Sequence, residues 1–386
     1  MIPVRNIRRF LRKAIEQPFY AIKVGYKRLK ADLYYRFSDG KAPLPESLTL
    51  FLTHRCNLHC KMCGQWGDFG ITKLVKKDNI MQELSIDELK KFIDDINCFK
   101  PNITLFGGEP FIYREIMSLI EYIKHKKLHC LVITNGSMLK DFAENIVKIG
   151  LDELNISLDG DMKTHDTIRG MKGLFNRISK GIEEVNFYKE KYKTKKPLIN
   201  LQCTINKDNY TKIEQMIEVA GKLKVNSLTY HHLIFLAPLT YEKQEKVLNK
   251  LLPKTSSSNW KGFIFEPGID QNLLINKIND IKKIKTDFFV NFYPNFTDNE
   301  ILDYYKNPDY LPQTYKPRCI SPWIVNYIFP DGTVKPCLNL DYSFGNIKEL
   351  DFKKILNSET AIKYRRILKK QKIFPACIRC TELFRY

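Results

Sequence analysis

Residues 48–63 read Leu-Thr-Leu-Phe-Leu-Thr-His-Arg-Cys-Asn-Leu-His-Cys-Lys-Met-Cys. A strand-like apolar run, Leu48–Thr53, opens directly into a loop that carries Cys56, Cys60 and Cys63. Outward from this stretch the same transition recurs. Strand-like segments follow at Asn102–Phe106, Leu128–Ile133, Glu153–Ser157, Leu198–Ile205 and Ser227–Tyr230. Helical periodicity fills the gaps at Ile86–Asn97, Tyr113–Lys126, Met138–Ile149, Phe175–Lys191 and Tyr210–Lys222. Ser85, with Glu88 three residues on, gives the first of these helices a capping box. Strands alternating with helices predict an α/β fold with a parallel sheet and right-handed crossovers.

Ligand sites in such folds lie at the carboxyl ends of the strands. The segments that follow the strands fit that rule. They are the cysteine loop, Gly107-Gly108-Glu109-Pro110, Thr134-Asn135-Gly136, Ser157-Leu158-Asp159-Gly160, Thr204-Ile205-Asn206 and His231-His232. Ordinary turns account for the Gly and Asn but not for three cysteines and a Gly-Gly-Glu-Pro.

The chain has 386 residues, 44% hydrophobic and 27% charged, with a net charge of +20. That is a globular composition and excludes a mostly disordered protein. No run reaches the ~18 apolar residues that a membrane span needs. The basic start lacks an apolar stretch followed by a small-residue cleavage site, so no secretory signal is expected and the cytoplasm is the expected location. Ten cysteines there stay reduced, as core thiols, metal ligands or nucleophiles. Cys98, Cys130 and Cys203 are isolated and are expected in the core.

Three thiolates on one short loop can hold three corners of an iron–sulfur cube and leave the fourth iron to a small molecule. Structural zinc takes four ligands and electron-transfer clusters normally use four cysteines. A closed zinc site completed by His54 or His59 is the alternative.

Cys56, Cys60 and Cys63 after the first strand, with Gly107-Gly108-Glu109-Pro110 after the second, resemble the radical S-adenosylmethionine superfamily, over about Leu48 to His232. The resemblance implies a partial (β/α)6 TIM-like barrel with a small C-terminal α+β auxiliary-cluster domain. It also implies a 4Fe–4S cluster whose open iron takes the amino and carboxylate groups of S-adenosylmethionine. One-electron cleavage then gives methionine and a 5′-deoxyadenosyl radical that removes hydrogen from a C–H bond. On this resemblance Gly107 and Gly108 allow close approach to the methionine part, and Glu109 accepts from its ammonium. Ser157 and Asp159 face the ribose, Asn135 adds a contact, and Arg169 meets the methionine carboxylate. Many relatives carry an aromatic residue near adenine where this chain has Met62; Trp66 or Phe69 stands as a substitute.

Cys319, Cys337, Cys377 and Cys380 form a second set. Alone they suit zinc. Their arrangement resembles the shortened auxiliary-cluster domain called twitch, related to SPASM, and implies a second, closed 4Fe–4S cluster that relays electrons. The segments Ile324–Phe329 and Thr333–Lys335 flank Pro330-Asp331-Gly332 as a hairpin. Helices are expected near Leu350–Leu356 and Ala361–Lys370. Four regions result: a basic helical extension over 1–46, the barrel over 47–236, a connecting stretch over 237–318 with Ser256–Ser258 as linker, and the auxiliary-cluster domain over 319–386.

The implied function is a radical S-adenosylmethionine oxidoreductase that dehydrogenates a polar, sugar-like metabolite. An external one-electron reductant such as flavodoxin or ferredoxin supplies the electron. A peptide-modifying maturase is the alternative within the class, and a zinc-containing nucleic-acid-binding protein the alternative outside it. No nucleic-acid motif is present. His231, His232 and Arg169 lie on the correct rim for a general base. Residues 1–41 carry eleven basic and three acidic side chains. Ile7, Phe10, Leu11, Ala14 and Ile15, then beyond Pro18 Phe19, Ile22, Tyr26, Leu29, Leu33 and Phe37, predict two amphipathic helices. They are expected to pack on the main domain; the other reading lays them on an anionic membrane surface.

Overall fold

In the computed structural model the described residues are 18–74 and 76–386. The first predicted N-terminal helix lies outside them. The second is α1, Pro18–Phe37. The strands are β1 (Ser47–Phe51), β2 (Asn102–Phe106), β3 (Cys130–Thr134), β4 (Glu153–Ser157), β5 (Leu198–Thr204), β6 (Ser227–His231), β7 (Phe289–Tyr293), β8 (Val325–Ile328), β9 (Thr333–Lys335) and β10 (Gly345–Asn346). They form one sheet in the order β10-β9-β8-β1-β2-β3-β4-β5-β6-β7. From β8 through β7 every pairing is parallel. The expected hairpin is present, with β9 antiparallel to β8.

Two parts of this sheet exceed the sequence reading. The stretch 237–318 supplies β7 as a further parallel strand beside β6, with Ser227 opposite Phe289 and His231 opposite Tyr293. Its apolar residues sit in a Lys- and Asn-rich context that hides them. Strand β8 pairs with β1, Ser47 opposite Val325, so the C-terminal segment continues the sheet. Ser256–Ser258 is no linker: Ser257 is buried and Ser256 bridges to Asp341.

Between the strands run α2 (Lys77–Met81), α3 (Ile86–Ile96), α4 (Ile116–His125), α5 (Leu139–Ile149), α6 (Met162–Arg169), α7 (Leu174–Lys191) and α8 (Gln215–Lys222). The capping box at Ser85 and Glu88 is made, each satisfying a backbone N–H of the other's turn. Helix α6 goes beyond the periodicity in the sequence. Its signals are short: Asp161 caps Thr164 N–H, and Gly170 ends it in the left-handed conformation.

Burial alternates along the central strands. Ile103 and Leu105, Leu154 and Ile156, Ile199, Leu201 and Cys203 all face the helices and are fully buried. Parallel sheets covered on both faces read as continuous apolar runs. Here the opposite face carries Glu153, Asn155, Asn200, Gln202, Ser227 and His231, each only half-buried. The polar residues are therefore an inner face left accessible. At the β1–β2–β8 end that face is filled instead by Phe51, Val325, Tyr327 and Phe329, with Phe106, Cys337 and Leu338 against them. Cys130 and Cys203 are buried as expected, but Cys98 is exposed at the end of α3.

Candidate functional site

The site begins with how two loops come into contact. The amide of Gly108 donates to the carbonyl of Thr53 (2.7 Å), and that of Glu109 to the carbonyl of Arg55 (2.9 Å). A Cβ on Gly107 would lie 2.6 Å from the Thr53 carbonyl oxygen, and one on Gly108 2.1 Å from that of Arg55. Both are impossible contacts. The close approach these glycines permit within the protein is thus to the backbone of the cysteine loop.

Three N–H donors reach the three sulfurs of that loop. Asn135 Nδ2 lies 3.9 Å from Cys56 Sγ, Arg169 Nη1 3.6 Å from Cys60 Sγ, and the Trp66 amide 3.4 Å from Cys63 Sγ. Burial pushes the Cys56 thiol up to about 12 and raises Cys60 against the pull of Arg169. Thiols in that state ionise on binding metal, and N–H groups aimed at cluster sulfurs stabilise the charge they then carry. The donor set therefore fits an iron–sulfur cluster with three protein ligands.

Glu109 is buried beneath this loop. Its carboxylate accepts from the Phe111 amide (3.1 Å) and the Thr134 hydroxyl (2.7 Å) at Oε1, and from the Asn135 amide (2.7 Å) at Oε2. Burial raises its pKa to about 7 against those three donors. One of its roughly four acceptor positions is left. Glu109 thereby ties the β2 loop to the end of β3 and sets Asn135, whose side-chain Nδ2 donates to Asn57 Oδ1 at 2.9 Å.

Helix α6 delivers Arg169. Lys61 N–H donates to the carbonyl of Ile168 (3.1 Å), which docks the helix end on the cysteine loop. Arg169 Nε meets Asp159 Oδ2 at 2.6 Å, and the other carboxylate oxygen accepts from the Thr204 amide at 2.8 Å. Asp159 is fully buried. Both its oxygens are engaged inside the protein, where it holds Arg169. Burial opposes the charge on Arg169, yet Asp159 and Cys60 outweigh it and keep the guanidinium firmly protonated. His165 supports the turn: its Nδ1 accepts from the Asp159 amide (3.1 Å), and burial lowers its pKa to about 4. Neither His165 nor the Asp159–Arg169 pairing was read from the sequence, because both depend on α6. Ser157 ends β4 half-buried on the inner face.

The aromatic substitutes have other contacts. The Trp66 indole donates to the His54 carbonyl (2.8 Å) and meets His59 edge-on, while Phe69 stacks on Phe265. Met62 packs against the core. The two rim histidines separate. His232 is buried among Phe296, Tyr304 and Tyr305, and burial lowers its pKa to about 3. His231 faces the inner side, with Nε2 2.5 Å from Gln202 Oε1 and its ring against Tyr293.

The second cysteine set is gathered from three places: Cys319 before β8, Cys337 after β9, and Cys377 with Cys380 near the end. Burial pushes Cys337 to about 11 and Cys377 to about 12 and raises Cys319 and Cys380 as well; neighbouring thiols of the set add to the rise at Cys319, Cys377 and Cys380, and Glu382 adds to it at Cys337. Tyr364, on the helix Glu359–Gln371, has its pKa raised first by burial and then by all four sulfurs. Nothing in its local sequence marks it. The thiols are near enough to influence one another electrostatically, and four cysteine ligands would leave a cluster no open corner.

Cys337 also touches the aromatic group that runs back to the first loop. Phe51 stacks on Phe329 at 5.3 Å, meets Phe106 at 5.5 Å and His54 at 4.8 Å.

Comparison with known proteins agrees with this geometry. The sequence matches the family described as the radical SAM superfamily over residues 50–251, and an iron–sulfur cluster-binding domain over residues 319–381. The second match overturns the zinc alternative for the four cysteines. The Fe-coproporphyrin III synthase of Methanosarcina barkeri is 29% identical over 259 residues, which span 64% of this chain and 60% of that protein. The tungsten-containing aldehyde ferredoxin oxidoreductase cofactor-modifying protein of Pyrococcus furiosus is 24% identical over 357 residues, 86% of each. Among solved structures, Streptococcus suis SuiB bound to precursor peptide SuiA has a similar fold, with a TM-score of 0.60 at 14% identity, covering 90% of this chain and 72% of that one.

Proposed function

The chain belongs to the radical S-adenosylmethionine superfamily, with an iron–sulfur cluster-binding C-terminal domain, and on that premise we propose that it dehydrogenates a polar, hydroxyl-bearing substrate held on the inner face of the sheet. Bound S-adenosylmethionine and the two 4Fe–4S clusters supply the hydrogen-abstracting radical and the outlet for one electron. Cys56, Cys60 and Cys63 hold the first cluster, and Cys319, Cys337, Cys377 and Cys380 the second. Arg169, fixed by Asp159, offers its guanidinium to the cofactor carboxylate. Glu109 offers its remaining acceptor position to the ammonium, and Asn135 and Ser157 serve the ribose.

The observation that carries the substrate class is the polar inner face. Toward the carboxyl ends of the strands it carries Ser157, Gln202 and His231, with His231 Nε2 2.5 Å from Gln202 Oε1. These groups bind hydroxyls better than an apolar ligand. His231, oriented by Gln202, takes the proton that the oxidation releases. An external one-electron reductant of the flavodoxin or ferredoxin kind starts the cycle. The aromatic group between the two cysteine sets supports the electron outlet.

The test is deuterium transfer. Reconstituted protein incubated with C-deuterated polyols or aminocyclitols should place deuterium in 5′-deoxyadenosine and yield the ketone. Transfer only from peptides would select the peptide-modifying reading and overturn the polyol assignment.

A further inference from the structure

Helix α1 is apolar on two opposite sides. Ala21, Val24, Ala31 and Tyr35 are buried against the main body, where Tyr35 meets Trp323 edge-on. Arg28 and Asp32 on the same side are held by Glu46 and Arg318. The residues expected to make this contact are instead turned outward. Ile22 is 69% exposed, Tyr26 63%, Leu29 60%, Leu33 45% and Phe37 81%. At helical spacing these five form one continuous stripe. The stripe reaches a groove of about 230 Å³ lined by Leu29, Ile320, Ile324 and Tyr386. Monomeric proteins rarely leave such a patch in water, since each large side chain favours burial.

The charge around the stripe chooses its occupant. Lys30 and Lys23 lie along one border and Arg36 along the other, all exposed. The acidic side chain on the helix, Asp32, is buried between Arg36 and Arg318. Immediately before the helix the sequence adds Arg5, Arg8, Arg9, Arg12 and Lys13 against Glu16. An apolar stripe bordered by long cationic side chains suits the interface of an anionic bilayer, with the stems lying along the apolar surface and the charges at the headgroups. No helix among the described residues is long and apolar enough to cross a membrane.

We propose that α1 docks the enzyme on the surface of an anionic lipid membrane through Ile22, Tyr26, Leu29, Leu33 and Phe37. This does not rest on the reaction proposed above. Full-length protein should float with vesicles containing phosphatidylglycerol and stay unbound with phosphatidylcholine alone. Leu29→Ser with Leu33→Ser should lower the bound fraction at least fivefold, with iron content and circular dichroism unchanged because both side chains are exposed. Raising the salt should also lower binding.

Equal binding to both vesicle types, or no loss in the double variant, would overturn the proposal. So would loss of binding on deleting residues 1–17 while the double variant binds normally. A wild-type dimer that the double variant converts to monomer would assign the stripe to a second copy instead.

Discussion

The two cysteine sets solve different problems. The first takes all its thiols from one loop, and the N–H groups facing them come from Asn135, Trp66 and Arg169, of which only Trp66 is nearby in sequence. The second takes its thiols from segments on both sides of the β8–β9 hairpin and from the chain's last helical turns. One short loop can surround three corners of a cluster and leave the fourth to a ligand. Closing all four takes chain from several places. Openness at the first set and closure at the second thus follow from how each is threaded.

Breaking either set should separate two activities. Cys60→Ala should abolish S-adenosylmethionine cleavage entirely and lower bound iron to about half that of the wild type. Cys377→Ala should also lower iron, but 5′-deoxyadenosine should still form while oxidised product disappears. If that variant still makes product at the wild-type rate, the second set is not the electron outlet.

Arg169→Lys keeps the charge and loses the fork that spans Asp159 and Cys60. Changing a residue that holds a ligand's partner in place costs about 10–100-fold in activity or affinity. The fall should appear in the affinity for S-adenosylmethionine, measured by anaerobic calorimetry, more than in iron content.

Glu109 gives a pH signature at the open site. Burial has raised its pKa to about 7. Below that pH the carboxyl is protonated and cannot accept from the cofactor ammonium. Affinity for S-adenosylmethionine should therefore be full above pH 7 and weaken as pH falls, by up to about tenfold per unit. Glu109→Gln should bind more weakly at pH 8 and lose the slope.

The smallest effect lies between the two sets. Phe329→Leu removes the stack on Phe51 and should cost about 0.5–1.5 kcal/mol of stability by anaerobic urea unfolding. Reoxidation of the second cluster should slow, with the first unaffected.

The same contrast explains what could be read from the sequence. The three-cysteine loop and Gly-Gly-Glu-Pro were legible because their chemistry is local. The partner of Asp159 was not, because Arg169 reaches it only through the turn that α6 makes. Strand β7 was hidden because Phe289–Tyr293 is short and sits in a polar stretch, and its pairing with β6 is decided by tertiary contacts. The two helical faces of α1 both read as apolar, and periodicity alone does not say which one meets the protein. Gly107 and Gly108 are legible as close-approach positions, but that the Thr53–Arg55 backbone lies against them is visible only in the fold.

The central claim is tested most directly by electron paramagnetic resonance of the reduced holoenzyme with and without S-adenosylmethionine. The cofactor should shift the signal of one cluster only, and that shift should survive Cys377→Ala with Cys380→Ala and vanish on replacing Cys56, Cys60 and Cys63 with alanine. A shift that persists without the first three cysteines, or no shift in the wild type, would contradict the account.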